Sequence, residues 1–150
     1  MDVETRAHTA LHIVKGALVR ALGEEARWTV STWVQGERGR LTVEFPRRPS
    51  AEELELVQRL VDAKVAEDTP VEVYELPRGE AEDRWGDAIY DRFPLPSQVR
   101  VLKVVCIPGW NVNACNKSHT RTTGEVGRVE VLKTRYRPSR GHLEVSFRVS

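Results

Sequence analysis

The stretch RAHTALHIVKG, residues 6–16, puts His8 and His12 four positions apart inside a run with helical periodicity. Ala10, Ile13, Val14, Ala17, Leu18 and Ala21 follow the i, i+3, i+4 spacing of one apolar face, which predicts an amphipathic helix over 5–22 stopped by Gly23. Residues four apart on a helix have Cβ atoms ~5–6 Å from one another, so both imidazoles face the same way. A histidine pair of this kind is a common surface arrangement when it stands alone. It acquires chemical meaning only if the rest of the chain supplies further ligands.

Working outward from that helix, WTVSTWVQ (28–35) and LTVEF (41–45) are two β-rich runs joined by GERGR, read as a hairpin loop. Pro46 and Pro49 end the second run. Ser50 with Glu53 three residues on is a capping box that opens a helix over SAEELELVQRLVDAKVAED (50–68). VEVYEL (71–76) is a short strand closed by Pro77, RGEAEDRWG (78–86) a short helix, and FPLPSQ (93–98) a loop. VRVLKVVCI (99–107) is the most apolar strand, stopped by Pro108 and Gly109. RVEVLKTRYR (128–137) and HLEVSFRV (142–149) alternate and are joined by PSRG, a hairpin signal. Six strands, four of them in hairpins, with helices between, predict an α+β fold built on a mostly antiparallel sheet with packed helices. The length of 150 residues predicts a single domain over 1–150.

Composition narrows the function classes. Hydrophobic residues make up 40% and charged residues 30%, the profile of a globular protein rather than a disordered one. No apolar run approaches the ~18 residues that span a membrane. The opening MDVETRAHTALH has no basic start followed by an apolar block, so a cytoplasmic location is expected. Cys106 and Cys115 are then expected to be reduced thiols. The formal charge of +1 conceals a polarity. Residues 50–91 hold thirteen acidic and four basic side chains, whereas residues 97–150 hold three acidic and ten basic ones. Such a chain offers one face to a polyanion without being basic overall, although solvated helix and strand faces account for the same counts.

The further ligands lie in NACNKSHTRTTGEVG (113–127), where Cys115 and His119 are again four apart. On a helix or helical turn this spacing also puts both donors on one side. His8, His12, Cys115 and His119 use three of the four histidines and one of the two cysteines. Three imidazoles and a thiolate are a donor set that suits Zn2+. The gap between the pairs is too long for a small zinc finger and points to a site assembled by the fold. The two residues left over contrast with these: Cys106 sits in an apolar strand and reads as core, and His142 opens the last strand and reads as surface.

HTALH (8–12) with CNKSH (115–119) followed by TTGEVG (122–127) resembles the HxxxH and CxxxH motifs of the alanyl-tRNA editing domain. The flanks VKGALV, YELPR and WNVNACN agree in character, and the resemblance spans essentially the whole chain. The chain is similar to the short, freestanding alanyl-tRNA editing proteins, the AlaX family. The editing domain of threonyl-tRNA synthetase has a similar ligand arrangement, with flanks less like these. A start so close to His8 leads to the expectation that the glycine-rich barrel of the longer members is missing.

The resemblance implies a trans-editing, ATP-independent hydrolase. It would deacylate alanine tRNA mischarged with serine, with glycine as a second candidate, at a zinc site formed by His8, His12, Cys115 and His119. A pocket for alanine rejects glycine and serine poorly, with discrimination near ~10²-fold, so a second site must invert the test. In short members a threonine on the first strand does so by recognising the serine hydroxyl, and the matching position is Thr29. Asn111 and Asn113 are candidates for holding a loop or the terminal adenosine, with Asn113 taken as substrate-binding. Glu125 is open between base and turn residue. Lys117, Arg121, Arg135, Arg137 and Arg140 are expected to meet tRNA phosphates, with no role for DNA or a membrane. Because four protein ligands close a tetrahedral site, either His119 is loosely held or the ion expands its shell. The competing expectation is a non-enzymatic RNA-binding module with a structural zinc, and a further one is a zinc hydrolase of small esters.

Overall fold

The computed structural model describes residues 2–150. Helix α1 (Val3–Leu22) opens with Asp2 Oδ1 accepting from Thr5 N at 2.8 Å and closes at Gly23. The expected hairpin follows as β1 (Thr29–Gln35) and β2 (Arg38–Glu44). Its turn is shorter than GERGR suggests, because Gly39 and Arg40 belong to β2. Gly39 reads as a turn glycine in the sequence. In the fold it makes room for Phe147, since a Cβ at this position would lie 2.2 Å from the Phe147 ring. Helix α2 (Ala51–Glu67) carries the full Ser50–Glu53 capping box.

The second half supplies β3 (Glu72–Pro77), α3 (Arg78–Trp85), β4 (Val101–Ile107), β5 (Asn111–Ala114), β6 (Val129–Arg137) and β7 (His142–Val149). The α+β class with antiparallel pairing stands as expected. The strands, however, form two sheets: β1-β2-β7-β6 and β3-β4-β5. Strand β5 is the one that the polar WNVNACN run conceals. It pairs with β4 as an edge strand, half-buried throughout, so it lacks the apolar alternation that reveals a strand.

Helix α1 positions the site. It is buried on nearly every side, with Ala10, Ile13, Val14, Ala17 and Leu18 in the main core beside Leu41, Val43, Val145 and Phe147 of the four-stranded sheet. A helix so placed can also bury polar side chains, and Thr9 and His12 are among them. Strand β4 divides its residues between two clusters. Val105 and Ile107 join the main core, while Leu102 and Val104 pack with Ala81 and Ile89. This explains its near-continuous apolar sequence. The tryptophan after β4 locks the small sheet to α1: Trp110 Nε1 donates to Ile13 O at 3.0 Å. Its indole fills the space above Gly16, where a Cβ would lie 2.3 Å from the ring. No helix of the described residues is long and apolar enough to cross a membrane.

Candidate functional site

Three of the four expected ligands converge. The ligand atoms of His12, Cys115 and His119 all lie within 4.8 Å of one another. His12 Nε2 is 3.1 Å from His119 Nε2, and Cys115 Sγ is 3.6 Å from the same nitrogen. Zinc bond lengths with tetrahedral angles place two nitrogens about 3.4 Å apart, and a sulfur about 3.6 Å from a nitrogen. The donor set and its spacing therefore fit a zinc ion. His8 lies outside this trio, half-buried one turn before His12, with its ring edge-on to His119 at 6.4 Å between centroids.

Cys115 and His119 meet by a different route from the helical turn that their spacing suggests. No helix covers 115–119, and the pair sits on the loop that leaves β5. Cys115 is held by its N–H, which donates to Lys103 O on β4 at 2.9 Å. The far end is pinned to α1 by two threonines. Thr9 Oγ1, buried between the two histidines of α1, accepts from Thr120 N at 2.8 Å and lies 3.1 Å from Thr120 Oγ1. Glu125 anchors the same loop, its Oε1 accepting from Arg121 N at 2.7 Å and Thr122 N at 3.2 Å. Of the two roles open to Glu125, the structure shows the turn contact. Thr123 ties the segment to α2, donating to Lys64 O at 2.7 Å.

Burial sets the protonation states. Desolvation pushes His12 down to about 3, helped by His119 and His8. It pushes His119 down to about 4, helped by Lys103. Both rings are neutral at pH 7 and available as ligands. Burial raises the Cys115 thiol, so a cation is what would draw off its proton. The Asn111 amide lies 3.4 Å from His12 Nδ1. The atom facing the ring is Asn111 Nδ2, which donates to the nitrogen turned away from the trio and so orients the imidazole. His119 has no such support: its buried Nδ1 has no partner among the described residues.

Beside the trio opens a pocket of about 350 Å³ between α1, β1 and the small sheet, which His12 and Thr29 both line. Thr29 is 4% exposed and stands at a β-bulge in β1, a feature that re-aims side chains. Lys15 Nζ donates to Thr29 Oγ1 at 2.5 Å. Desolvation pushes Lys15 down to about 8, against the attraction of Asp91. Across the pocket Asn113 Nδ2 donates to Ile89 O at 3.1 Å and to Asp91 Oδ1 at 3.2 Å. Asn113 thereby holds the segment carrying Asp91, whose carboxyl is raised by burial. Cys106 is half-buried and lines the pocket, and both cysteines are free thiols.

Thr9, Lys15, Asp91 and Thr120 escape a reading of the sequence, since each belongs to a type that is ordinarily solvated. Position was the available signal: Lys15 follows His12 by three, Thr9 lies between the two histidines, and Thr120 follows His119. The five basic residues expected to meet phosphate are all exposed. Lys117 and Arg121 flank His119 on its loop, whereas Arg137 is already paired with Glu144 at 2.8 Å.

No family model matches the chain. It is 40% identical over 129 residues to the alanine–tRNA ligase of Pyrococcus abyssi, covering 86% of this chain and 14% of the relative. It is 38% identical over 128 residues to that of Methanopyrus kandleri, covering 85% of this chain and 14% of the relative. The enzyme of Thermococcus kodakarensis is 36% identical over 129 residues, again 86% and 14%. The chain thus spans about a seventh of the length of these relatives. A match of this identity over most of the chain makes it a homologue of a segment of alanine–tRNA ligase.

Proposed function

We propose that this protein is a zinc-dependent, trans-acting deacylase of one editing domain that removes serine, and glycine, from mischarged alanine tRNA. The observation that carries the reading is the juxtaposition of His12, Cys115 and His119, within 4.8 Å of one another, with a pocket that both His12 and Thr29 line. His8 is the fourth donor of this proposal, with its ring next to that of His119. A zinc ion held there supplies a Lewis acid for the ester carbonyl or a water acidic enough to react near neutral pH.

The protein's own contribution is selection. The Thr29 hydroxyl offers a hydrogen bond to the hydroxyl of a seryl group. An alanyl group leaves the proton of that buried hydroxyl without an acceptor, which costs roughly 1–3 kcal/mol. Asn113 orients the Asp91 wall of the pocket through its Nδ2, and in this reading its Oδ1 is the atom offered to the substrate. The exposed Lys117 and Arg121 stand beside the metal loop, where tRNA phosphates would approach, so binding weakens as salt rises. Such a substrate places the protein in the cytoplasm.

Chelation separates this reading from a structural zinc in a non-enzymatic RNA-binding module. A stripped protein that keeps its far-ultraviolet circular dichroism but stops cleaving Ser-tRNA(Ala) supports the deacylase. Loss of the fold on stripping, with mischarged tRNA intact even beside loaded protein, supports the module.

A further inference from the structure

We propose that Lys15 is a positioning residue that fixes the direction of the Thr29 hydroxyl and thereby sets the preference for a hydroxylated aminoacyl side chain. The inference rests on the editing function proposed above. Lys15 follows His12 by three residues, so it leaves α1 on the side of the ligands. Its stem lines the pocket and its amine ends 2.5 Å from Thr29 Oγ1.

A threonine hydroxyl has one proton and two lone pairs. An ammonium group has only protons to give, so Lys15 occupies a lone pair of Thr29 and turns the hydroxyl proton away from itself. Among the described residues Lys15 is the one side chain bonded to that hydroxyl. The free proton is therefore left for whatever enters the pocket that Thr29 lines. A seryl oxygen accepts it. An alanyl methyl cannot accept it and excludes the water that could. A glycyl group leaves room for that water, so this test does not reject the smaller error. A charge-assisted hydrogen bond is about twice as strong as a neutral one, so an entering substrate does not swing the hydroxyl round. Without Lys15 the hydroxyl rotates freely and the test for an acceptor is blunted.

The alternative is that Lys15 fills space and carries its amine passively to the pocket mouth. A double-mutant cycle on selectivity distinguishes the two. The measured quantity is the ratio of kcat/KM for Ser-tRNA(Ala) over Ala-tRNA(Ala), at saturating zinc, for wild type, K15M, T29V and K15M/T29V. K15M is expected to lower the ratio about tenfold. Because Lys15 acts through Thr29, the double variant should match T29V to within about twofold. K15Q, which keeps a neutral donor, should fall between wild type and K15M, and it supplies the comparison if K15M does not fold. A ratio for K15M and K15Q unchanged within about twofold, or losses in K15M and T29V that multiply, would overturn the inference while the editing function stands. Failure of the wild type to cleave either ester overturns both.

Discussion

The loop that carries Cys115 and His119 has no secondary structure of its own, so its attachment to α1 is a weak point that can be probed directly. Thr9→Val removes one oxygen while keeping nearly the same shape. The Thr9 side chain is fully buried and accepts the Thr120 N–H at 2.8 Å. Thr120 Oγ1 has a second partner in Thr122 O at 2.7 Å, so the hydroxyl remains satisfied after the change. The unsatisfied group is then the Thr120 N–H alone, a cost of roughly 1–3 kcal/mol. For a chain of this size each kcal/mol moves Tm by about 2–4 °C, so a fall of about 2–12 °C is expected. Thr120 adjoins His119, and losing a support of a ligand typically weakens metal affinity ~10–100-fold. Thermal melts of metal-free protein and competition with a zinc chelator measure the two effects. Unchanged Tm together with unchanged zinc affinity would refute the claim that the Thr9–Thr120 contact holds the loop.

Three other perturbations test separate parts of the account. Gly16→Ala puts a methyl against the Trp110 indole and displaces it from Ile13 O, so urea denaturation should show a loss of about 1–3 kcal/mol. Ser50→Ala removes one half of the α2 capping box and should cost about 1 kcal/mol in the same assay. Acid should destabilise metal-free protein through its buried rings. His12 and His119 have folded-state values near 3 and 4 against 6.5 unfolded, so the unfolded chain binds more protons between these limits. Their contribution is complete above pH 6.5 and is lost as pH falls toward 4 and then 3. A His12→Asn variant should show a flatter profile in denaturation measured at stepwise pH.

The parts of this fold that were legible in the sequence are those whose physics is local. The Ser50–Glu53 box, the apolar face of α1 and the alternation in β6 and β7 each depend on neighbours a few residues away. Strand β5 was not legible, because Asn111 and Asn113 sit at a sheet edge and face a pocket, where apolar periodicity has no reason to appear. The division into two sheets was hidden for another reason: each strand's pattern shows which of its sides is buried, and says little about which strand lies beside it. At the site, the four-residue spacing of Cys115 and His119 suggested a helical turn, and a loop tied down at Lys103 and Thr9 brings the same donors together. Those ties run between residues far apart in the chain, as does the bond from Lys15 to Thr29. The donor types and their pairing carried the chemical reading, and the three-dimensional contacts supplied its supports.

The central claim is that a metal held by the His12–Cys115–His119 group serves a pocket that selects against alanine. It is tested most directly by following Ser-tRNA(Ala) and Ala-tRNA(Ala) side by side with protein loaded with zinc, stripped of it, and reloaded. The account predicts loss of the seryl ester with the alanyl ester spared, abolished by stripping and restored on reloading. Equal survival of both esters beside loaded, folded protein would contradict it.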